Sequence, residues 1–178
     1  IFSFLLTVLM NVLGLEFTAH TFGASVVSSE GKILSDARSS FTTSTNTGMI
    51  PREVALFHEA NREKVVEKAL TGQNVDLVSC SQGPGLGHTL SPGLSYSKKI
   101  ALELGVPIVG VNHCVAHVEI GKMLCGARDP VFLYVSGANT QVIALEEGRY
   151  RVFGETLDIG VGNLLDKAAR ELGLGFPG

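Results

Sequence analysis

The spacing of apolar and polar residues predicts short strands that alternate with longer helices. Strands are indicated where β-branched and other apolar residues run together or alternate and then stop at glycine, serine or asparagine. Helices are indicated where apolar residues return every three or four positions, as they do after Pro51, a residue that suits a first helical turn. The pattern therefore predicts an α/β fold. The predicted strands are Asn11–Leu15, Phe22–Val27, Lys32–Ala37, Val75–Cys80, Val106–Val111, Val131–Val135, Gln141–Leu145 and Tyr150–Thr156, and the predicted helices are Pro51–Leu70, Pro92–Leu104, the segment that follows Val111, and Gly160–Leu172.

The order of predicted elements near residue 131 repeats the order at the start of the chain. In both places a strand is followed by a polar turn and then by two more strands, and Ser136–Thr140 forms the later turn. A tight polar loop between antiparallel strands can bind phosphate through backbone N–H and hydroxyl groups, but a plain hairpin explains the first copy equally well. A duplicated unit of this kind is what a two-lobed fold that clamps a nucleotide would contain.

Composition and charge narrow the class of protein. The 178 residues are 45% hydrophobic and 17% charged, which indicates one or two small globular domains rather than a disordered chain. The formal net charge of −3 shows no basic excess, so nucleic-acid binding would need a local patch or a partner. The three cysteines lack metal-type C-x-x-C spacing, and their odd number favours a reducing compartment such as the cytosol.

Both ends of the chain differ from those expected of a complete protein. Residue 1 is not methionine, and Ile1–Leu9 is apolar but too short to span a bilayer and lacks a basic region, which leaves only a weak signal-peptide interpretation. We expect Met10 to be the natural start, with residues 1–9 an upstream extension, because a core strand begins directly after it. The last residues follow a predicted helix as an unfinished loop, so we expect an N-terminal fragment.

Two histidines mark the first chemical candidate. His113 and His117 stand four residues apart in Gly110–Gly121, which reads GVNHCVAHVEIG, between a predicted strand and a predicted helix. Residues i and i+4 share a helix face, so two imidazoles there could bind one zinc, iron, copper or nickel ion. Two hydrogen-bonded histidines at a helix end are the alternative.

The sequence also predicts two loops, one rich in serine and threonine and one rich in glycine. Residues 39–48 are rich in serine and threonine and predict an exposed loop. The segment Ser81–Thr89, SQGPGLGHT, places three glycines between a strand and a helix, where they would let the backbone approach a ligand closely. Neither a Walker A loop nor the Rossmann glycine spacing matches this segment.

Several motifs together resemble the universal tRNA threonylcarbamoyltransferase family. Its bacterial member is TsaD, and its archaeal and eukaryotic members are the catalytic subunit of the KEOPS complex, formerly called O-sialoglycoprotein endopeptidase. The resemblance runs from Met10 to Gly178, about the first half of a family member, and the Tyr134 and Ala-Asn pair are similar to the archaeal and eukaryotic branch. The segments that carry it are Gly110–Gly121, Tyr134–Ala144, Arg151–Arg170 and Ser81–Gly87.

The resemblance implies a fold and a reaction. The fold would be that of actin, Hsp70 and sugar kinases, with residues 10–130 as the first lobe and 131–178 as the start of a truncated second lobe. The reaction would transfer threonylcarbamoyl from threonylcarbamoyl-adenylate to N6 of the adenosine next to the anticodon in tRNAs reading ANN codons. The implied setting is the cytoplasm, with tRNA and KEOPS-type subunits, a small kinase/ATPase and a dimerising subunit, as partners. This fragment alone is expected to be inactive.

The resemblance also implies site residues. One iron or zinc ion would be bound by two histidines and a tyrosine, and a further aspartate ligand would lie in the missing half. The turn after the tyrosine would hold the phosphoryl and acyl end of the adenylate, Asp166 would hydrogen-bond its ribose, and Gly178 would begin a Gly-Gly loop at the nucleotide site. The implied metal ligands are His113, His117 and Tyr134, and the implied substrate-binding residues are Tyr134, Val135, Ser136, Gly137, Ala138 and Asp166.

Two positions depart from the family pattern. Phe17 stands where members usually have a small residue, so it would crowd a phosphate or point into the core. The segment His88–Gly93 lacks the arginine expected near position 91.

Two rival functions make different demands on the sequence. A metallopeptidase of the H-E-x-x-H type would need a glutamate directly after the first histidine, but Cys114 stands there. A non-catalytic nucleotide-binding paralogue would be favoured by loss of the metal residues, which are intact.

Overall fold

The computed structural model of the chain describes residues 9–43, 49–175 and 177–178. These residues form two units. One is built from the described residues up to Thr42 together with Ile50–His113, and the other from Thr43, Met49 and the described residues of Cys114–Gly178. The α/β class predicted from the sequence is confirmed. In chain order the elements are β1 (Asn11–Glu16), β2 (Thr21–Ser28), β3 (Ile33–Ser40), α1 (Pro51–Leu70), β4 (Leu77–Gly83), α2 (Gly87–Leu104), β5 (Ile108–Asn112), α3 (His113–Cys125), β6 (Phe132–Val135), β7 (Thr140–Glu146), β8 (Arg149–Glu155) and α4 (Val161–Glu171).

The first unit contains a five-stranded mixed sheet in the order β3-β2-β1-β4-β5. The first three strands are antiparallel neighbours, whereas β4 runs parallel to β1 and β5 runs parallel to β4. Parallel neighbours need a long connection, and α1 and α2 supply the two crossovers. The carboxyl ends of β1, β4 and β5 consequently lie side by side at one edge of the sheet.

The core of the first unit lies between this sheet and the helices α1 and α2. Every second residue of β1 and β2 is buried, as expected of strands with one covered face, and Leu13 and Val26 are fully buried. The helices contribute residues such as Ala69 and Tyr96 to the same cluster. Full burial of one such aliphatic side chain stabilises a fold by about 1.5–3 kcal/mol.

Helix α2 begins at Gly87, and the prediction that it begins at Pro92 is wrong. The carbonyl of Leu86 accepts hydrogen bonds from the N–H groups of Thr89 (3.0 Å) and Leu90 (2.9 Å), which closes the first turn before the proline is reached. Pro92 therefore lies inside the helix, where it lacks the N–H that would bond four residues back. The helix ends at Leu104, and the residue that caps it, Gly105, has a left-handed φ of 66° that suits glycine.

The second unit contains the antiparallel sheet β6-β7-β8, preceded by α3 and followed by α4. Its order of a strand, a turn and two strands matches that of β1, β2 and β3, so the predicted repeat is confirmed. Few of its described apolar residues are buried; they are Val118, Ile143 and Ala169.

Some predictions concern residues that the structure does not describe. The expected extension at residues 1–9 lies outside the described residues except for Leu9, and a start at Met10 stays a prediction. Within the predicted loop at 39–48, Ser39 and Ser40 belong to β3, and residues 44–48 lie outside the described part. The lobe boundary at residue 130 also stays a prediction. Among the described helices, none has the length and apolar character needed to cross a membrane.

Candidate functional site

A cluster of four polar residues lies at the sheet edge of the first unit. One carboxylate oxygen of Glu16, Oε1, accepts a hydrogen bond from the backbone N–H of Thr18 (2.7 Å) and another from the Thr18 hydroxyl. The other oxygen, Oε2, accepts from the hydroxyl of Ser81 and lies 3.0 Å from Nδ1 of His113. Both oxygens of this carboxylate are therefore engaged by the protein.

The strand topology explains why these residues meet. Glu16 is the last residue of β1, Ser81 lies in the carboxyl-terminal half of β4, and His113 directly follows β5. Because β1, β4 and β5 are parallel neighbours, the residues at their carboxyl ends converge at one sheet edge. This edge is the ordinary place for a site in an α/β sheet.

The hydrogen bonds set the charge state of Glu16. Burial on its own would raise the pKa of this carboxyl, but the hydrogen bonds from His113, Ser81 and Thr18 outweigh burial and lower its pKa to about 2. Glu16 is consequently a carboxylate at neutral pH.

The sequence analysis did not identify Glu16 and Ser81 as site residues, because it treated them as parts of a polar turn and a glycine-rich loop. The signal that could have found them is their position at neighbouring strand ends.

The two predicted histidine ligands lie on α3. His113 is its first residue and His117 lies one turn later, and residues i and i+4 of a helix are surface neighbours. Within the second unit, the ring of His117 lies 5.8 Å from the ring of Tyr134 on β6, measured between centroids. The structure thus brings His117 close to the predicted tyrosine ligand.

The chemistry of these donors fits a metal ion. Imidazole nitrogen and phenol oxygen suit zinc or iron, and the contact of His113 Nδ1 with a carboxylate is the one that metal-binding histidines usually make through their second nitrogen. Among the residues that the structure describes, no three or more His, Cys, Asp and Glu side chains form a metal-binding group. Metal binding by His113, His117 and Tyr134 stays a prediction.

The predicted substrate turn after β6 is closed by its own hydrogen bonds. The N–H of Ser136 donates to the carbonyl of Asn139 (2.9 Å), and the N–H of Asn139 donates back to the Ser136 hydroxyl (3.1 Å). Between them, Gly137 and Ala138 are exposed, and their N–H groups donate to none of the residues that the structure describes. The turn therefore offers two backbone donors on a fixed frame.

Helix α4 packs against this turn through glycines. The N–H groups of Gly162 and Asn163 donate to the carbonyls of Ser136 and Gly137, each at 3.1 Å. A Cβ placed on Gly160 would lie 2.7 Å from the backbone of Ala138, which no real side chain tolerates. The G-V-G sequence at the start of α4 is thus required by the close approach of the turn.

Asp166 and Gly178, two residues expected at the nucleotide site, lie together. Oδ1 of Asp166 accepts a hydrogen bond of 2.8 Å from the backbone N–H of Gly178. The carboxylate is only partly buried, so its second oxygen can be reached from solvent. Hydrogen bonding of Asp166 to ribose stays a prediction.

Two glycines around α2 admit protein groups rather than a ligand. A Cβ on Gly85 would lie 2.6 Å from Cβ of Thr18, and a Cβ on Gly93 would lie 2.2 Å from the ring of Phe17. Phe17 itself is 1% exposed and stacks on Phe22, so of its two expected placements the core is the correct one. The close packing thus fixes the turn that follows Glu16.

Comparison with known proteins supports the family resemblance seen in the sequence. The family model described as TsaD, tRNA N6-adenosine threonylcarbamoyltransferase, matches residues 32–178. A tRNA N6-adenosine threonylcarbamoyltransferase of Thermococcus gammatolerans is 52% identical over 95% of this chain and 53% of its own length. A probable bifunctional tRNA threonylcarbamoyladenosine biosynthesis protein of Methanosphaera stadtmanae is 46% identical over 95% of this chain and 32% of its own length.

Among solved structures, YeaZ from Pseudomonas aeruginosa superposes with a TM-score of 0.54 over 86% of this chain and 68% of its own, at 15% identity. Fold and strand order together define an α/β protein of the class that includes actin, Hsp70 and the sugar kinases, as predicted. Within that class, the chain belongs to the TsaD family of tRNA N6-adenosine threonylcarbamoyltransferases. The chain spans about half the length of the Thermococcus gammatolerans transferase.

The rival functions are not favoured. One curated relative is named a tRNA N6-adenosine threonylcarbamoyltransferase and the other a tRNA threonylcarbamoyladenosine biosynthesis protein, and neither bears a peptidase name. Glu119, the acid nearest to the histidine pair along the chain, accepts a hydrogen bond from the hydroxyl of Tyr150. A zincin-type general base would instead stand directly after the first histidine.

Proposed function

We propose that this chain forms the adenylate- and metal-binding part of an enzyme that transfers threonylcarbamoyl from threonylcarbamoyl-adenylate to N6 of adenosine 37 of tRNAs reading ANN codons. The product is N6-threonylcarbamoyladenosine. Membership of the TsaD family supports the reaction class. The observation that carries the site assignment is the turn after Tyr134, whose exposed Gly137 and Ala138 keep two N–H donors uncommitted among the described residues.

The reaction needs stabilised oxygens more than it needs a protein nucleophile. The threonylcarbamoyl group is already activated as a mixed anhydride with phosphate, so the N6 amine of adenosine can attack its carbonyl carbon while AMP leaves. Negative charge then develops on the carbonyl oxygen and on the departing phosphate. N–H donors held in place before the reaction stabilise such charge without reorganisation, and the N–H groups of Gly137 and Ala138 take this role.

The remaining residues position the substrate. His113, His117 and Tyr134 would hold one zinc or iron ion, which when bound supplies Lewis-acid stabilisation to a substrate oxygen. The second carboxylate oxygen of Asp166 accepts a ribose hydroxyl, while the first keeps its bond to the N–H of Gly178. Asp166 thereby places the adenosine end of the adenylate relative to the turn at 136–139.

The partners follow from charge and from the reaction. The substrate tRNA is a polyanion, whereas this chain has a formal net charge of −3, so tRNA affinity must come from a local basic surface or from other subunits. KEOPS-type subunits, a small kinase/ATPase and a dimerising subunit, are the proposed partners. The proposed compartment is the cytoplasm, where mature tRNAs are used.

A transfer assay tests the proposal. The chain is fused to the remaining part of the Thermococcus gammatolerans relative, incubated with threonylcarbamoyl-adenylate and unmodified tRNA, and the tRNA is digested for nucleoside mass spectrometry. We expect N6-threonylcarbamoyladenosine from the fusion and from its exposed-residue control His88→Ala, but a loss of at least 100-fold in His113→Ala. A folded fusion that makes no product, in an assay where the parent relative does, would contradict the proposal.

A further inference from the structure

We propose that one buried water molecule is a structural component of the first unit, bound between α1 and α2, where it bridges the imidazole of His58 and the Nε–H group of Arg62. Neither residue is among those assigned to metal or adenylate, so the inference goes beyond the proposed function and does not rest on it. The ligand is a single neutral water molecule, not a metal ion or an anion.

His58 is a buried polar residue among aromatic rings. It is 5% exposed, and its ring lies 5.6 Å edge-on from the ring of Phe22 and 6.4 Å from the ring of Phe57, measured between centroids. Neither of its ring nitrogens has a hydrogen-bond partner among the residues that the structure describes. Buried polar groups in native proteins are almost always hydrogen-bonded to protein or to ordered water, so both nitrogens require a partner.

The His58 ring is neutral at neutral pH. Burial lowers the pKa of this imidazole below its ordinary value and the His20 imidazole acts in the same direction, whereas the His20 carbonyl and the charge of Glu16 act in the opposite one. That carbonyl already accepts the N–H of Phe41 at 2.8 Å, and it does not meet hydrogen-bond geometry with the ring. A neutral ring has one N–H group and one lone pair, so one nitrogen needs an acceptor and the other needs a donor.

Arg62 carries a second buried group without a partner. It lies one helical turn beyond His58 on α1, and residues i and i+4 of a helix are surface neighbours. Its Nε has no hydrogen-bond partner among the described residues. Two other groups hold the guanidinium in place, since its Cζ lies 4.6 Å from the centroid of the Tyr96 ring and its Nη2 lies 3.7 Å from Oε1 of Glu59. The Nε–H is therefore a positioned donor that needs an acceptor.

A small cavity is lined by both of these side chains. Its walls include His58 and Arg62 of α1, Thr89 and Gly93 of α2, and the rings of Phe17 and Phe22. The space open to the centre of a water molecule is about 10 Å³. A space of this size holds about one water, which stays bound where it finds two to four polar partners. The cavity therefore has room for one water molecule.

Water matches the hydrogen-bonding needs of the groups that line this cavity. It accepts the Nε–H of Arg62 and donates one proton to the lone-pair nitrogen of His58. The Thr89 hydroxyl can accept the second proton, because its own proton is donated to the carbonyl of Leu86 at 2.9 Å. An anion would leave the lone pair of His58 without a donor and would meet Glu59, which also lines the cavity. A metal ion would meet the positive charge of the guanidinium.

Water-to-protein NMR tests the site on the unmodified chain. The chain is labelled with ¹³C-histidine, and NOESY and ROESY spectra are recorded at pH 8 in chloride-free buffer. The signal to follow is Hε1 of His58, a non-exchanging proton on the carbon between the two ring nitrogens, assigned through bonds so that no His58 variant has to fold. A water molecule held in the protein gives cross peaks of opposite sign in the two spectra, and we expect this pair. Its absence would overturn the proposal.

Two variants assign the partners of the water. Arg62→Lys keeps the positive charge but removes the Nε–H, and it should lose the cross peaks, whereas the exposed Arg52→Lys on the same helix should keep them. Thr89→Val removes a hydroxyl proton whose exchange would imitate a bound water, and the cross peaks should remain because two partners of the water are left. Unchanged cross peaks in folded Arg62→Lys, or their loss in folded Thr89→Val, would overturn the proposed bridge.

A salt titration distinguishes water from an anion. The same spectra are recorded with increasing sodium chloride, and a bound water predicts that the ring signals of His58 keep their positions. A saturable shift of these signals with chloride that is absent from Arg62→Lys would identify an anion as the occupant and would overturn the assignment of water.

Discussion

The two units of this chain contain the same arrangement of strands but differ in how far they bury it. Each contains a strand, a turn and two further antiparallel strands. In the first unit Leu13 and Val26 are fully buried. In the second, Leu133 is 70% exposed, Phe153 is 63% exposed and Leu157 is 90% exposed.

A pattern of alternating apolar residues in strands thus forms a core only where another layer covers it. In the first unit α1 and α2 complete a cluster with the sheet. In the second unit, α3 and α4 leave most of the described apolar residues exposed in this chain. A three-stranded sheet needs a covered apolar face for independent stability. We therefore expect the first unit to dominate the free energy of unfolding.

Matched leucine substitutions should change the free energy of unfolding very differently in the two units. Leu13→Ala in β1 should lower the free energy of unfolding by about 2–5 kcal/mol, because it removes a fully buried side chain and leaves a cavity. The matched change in the second unit, Leu133→Ala in β6, should alter it by less than about 0.5 kcal/mol. Urea unfolding followed by circular dichroism measures both. Equal losses would contradict the contrast between the units.

A second prediction concerns ligand binding in the second unit. Asp166→Ala should weaken the binding of ATP or a stable adenylate analogue by about 1.5–3 kcal/mol, the value of hydrogen bonds to a charged group. Calorimetry on the fusion protein measures it, with the exposed Asp158→Ala as the control. Wild-type affinity in Asp166→Ala would refute the ribose assignment, and loss of metal in this variant would show that Asp166 acts at the metal instead.

A third prediction tests the packing that fixes the turn after Glu16. Gly93→Ala should destabilise the first unit by about 1–3 kcal/mol, because its methyl group would meet the Phe17 ring. Gly87→Ala, which meets nothing within 4 Å, is the control. In a Phe17→Ala background the effect of Gly93→Ala should disappear. An undiminished effect there would mean that Phe17 is not the group that excludes a side chain.

A smaller effect is expected in alkali, where the free energy of unfolding should fall. Burial raises the pKa of Tyr96 to about 12, with Glu63 acting in the same direction. Between pH 10 and 12 the unfolded chain has lost this proton while the folded chain keeps it, so the free energy of unfolding is full below pH 10 and falls as the pH rises.

The pH dependence can be assigned with two variants. Tyr96→Phe should flatten the decline between pH 10 and 12 in urea unfolding. Tyr150→Phe in the second unit should leave most of it, although burial and the bond to Glu119 also raise the pKa of Tyr150 to about 12. A greater flattening of the decline by Tyr150→Phe than by Tyr96→Phe would contradict the expectation that the first unit dominates the free energy of unfolding.

Sequence periodicity predicted the elements well because it is a local property. The helix from Pro51 to Leu70 and the repeated strand–turn–strand order form as expected, and His113 and His117 lie one turn apart on α3. The start of α2 was predicted too late because the proline signal was overridden by hydrogen bonds to the carbonyl of Leu86.

The parts that sequence reasoning missed depend on contacts between distant segments. Glu16, Ser81 and His113 meet only because three parallel strands end side by side. The packing of Phe17 on Gly93 likewise joins segments 76 positions apart, so neither residue alone reveals it. Pattern analysis finds elements and spaced motifs, whereas a cluster assembled across a sheet edge appears only once strand order is known.

Metal content should depend on the histidine pair of α3, because the proposed site is built around these two residues. The fusion protein is loaded with zinc or iron, freed of excess metal and analysed by mass spectrometry of the element. We predict close to one ion per chain in the wild type and in the exposed-histidine controls His20→Ala and His88→Ala, and less than a tenth of that in the double variant His113→Ala/His117→Ala with its fold intact. Unchanged metal content in the folded double variant would contradict the account.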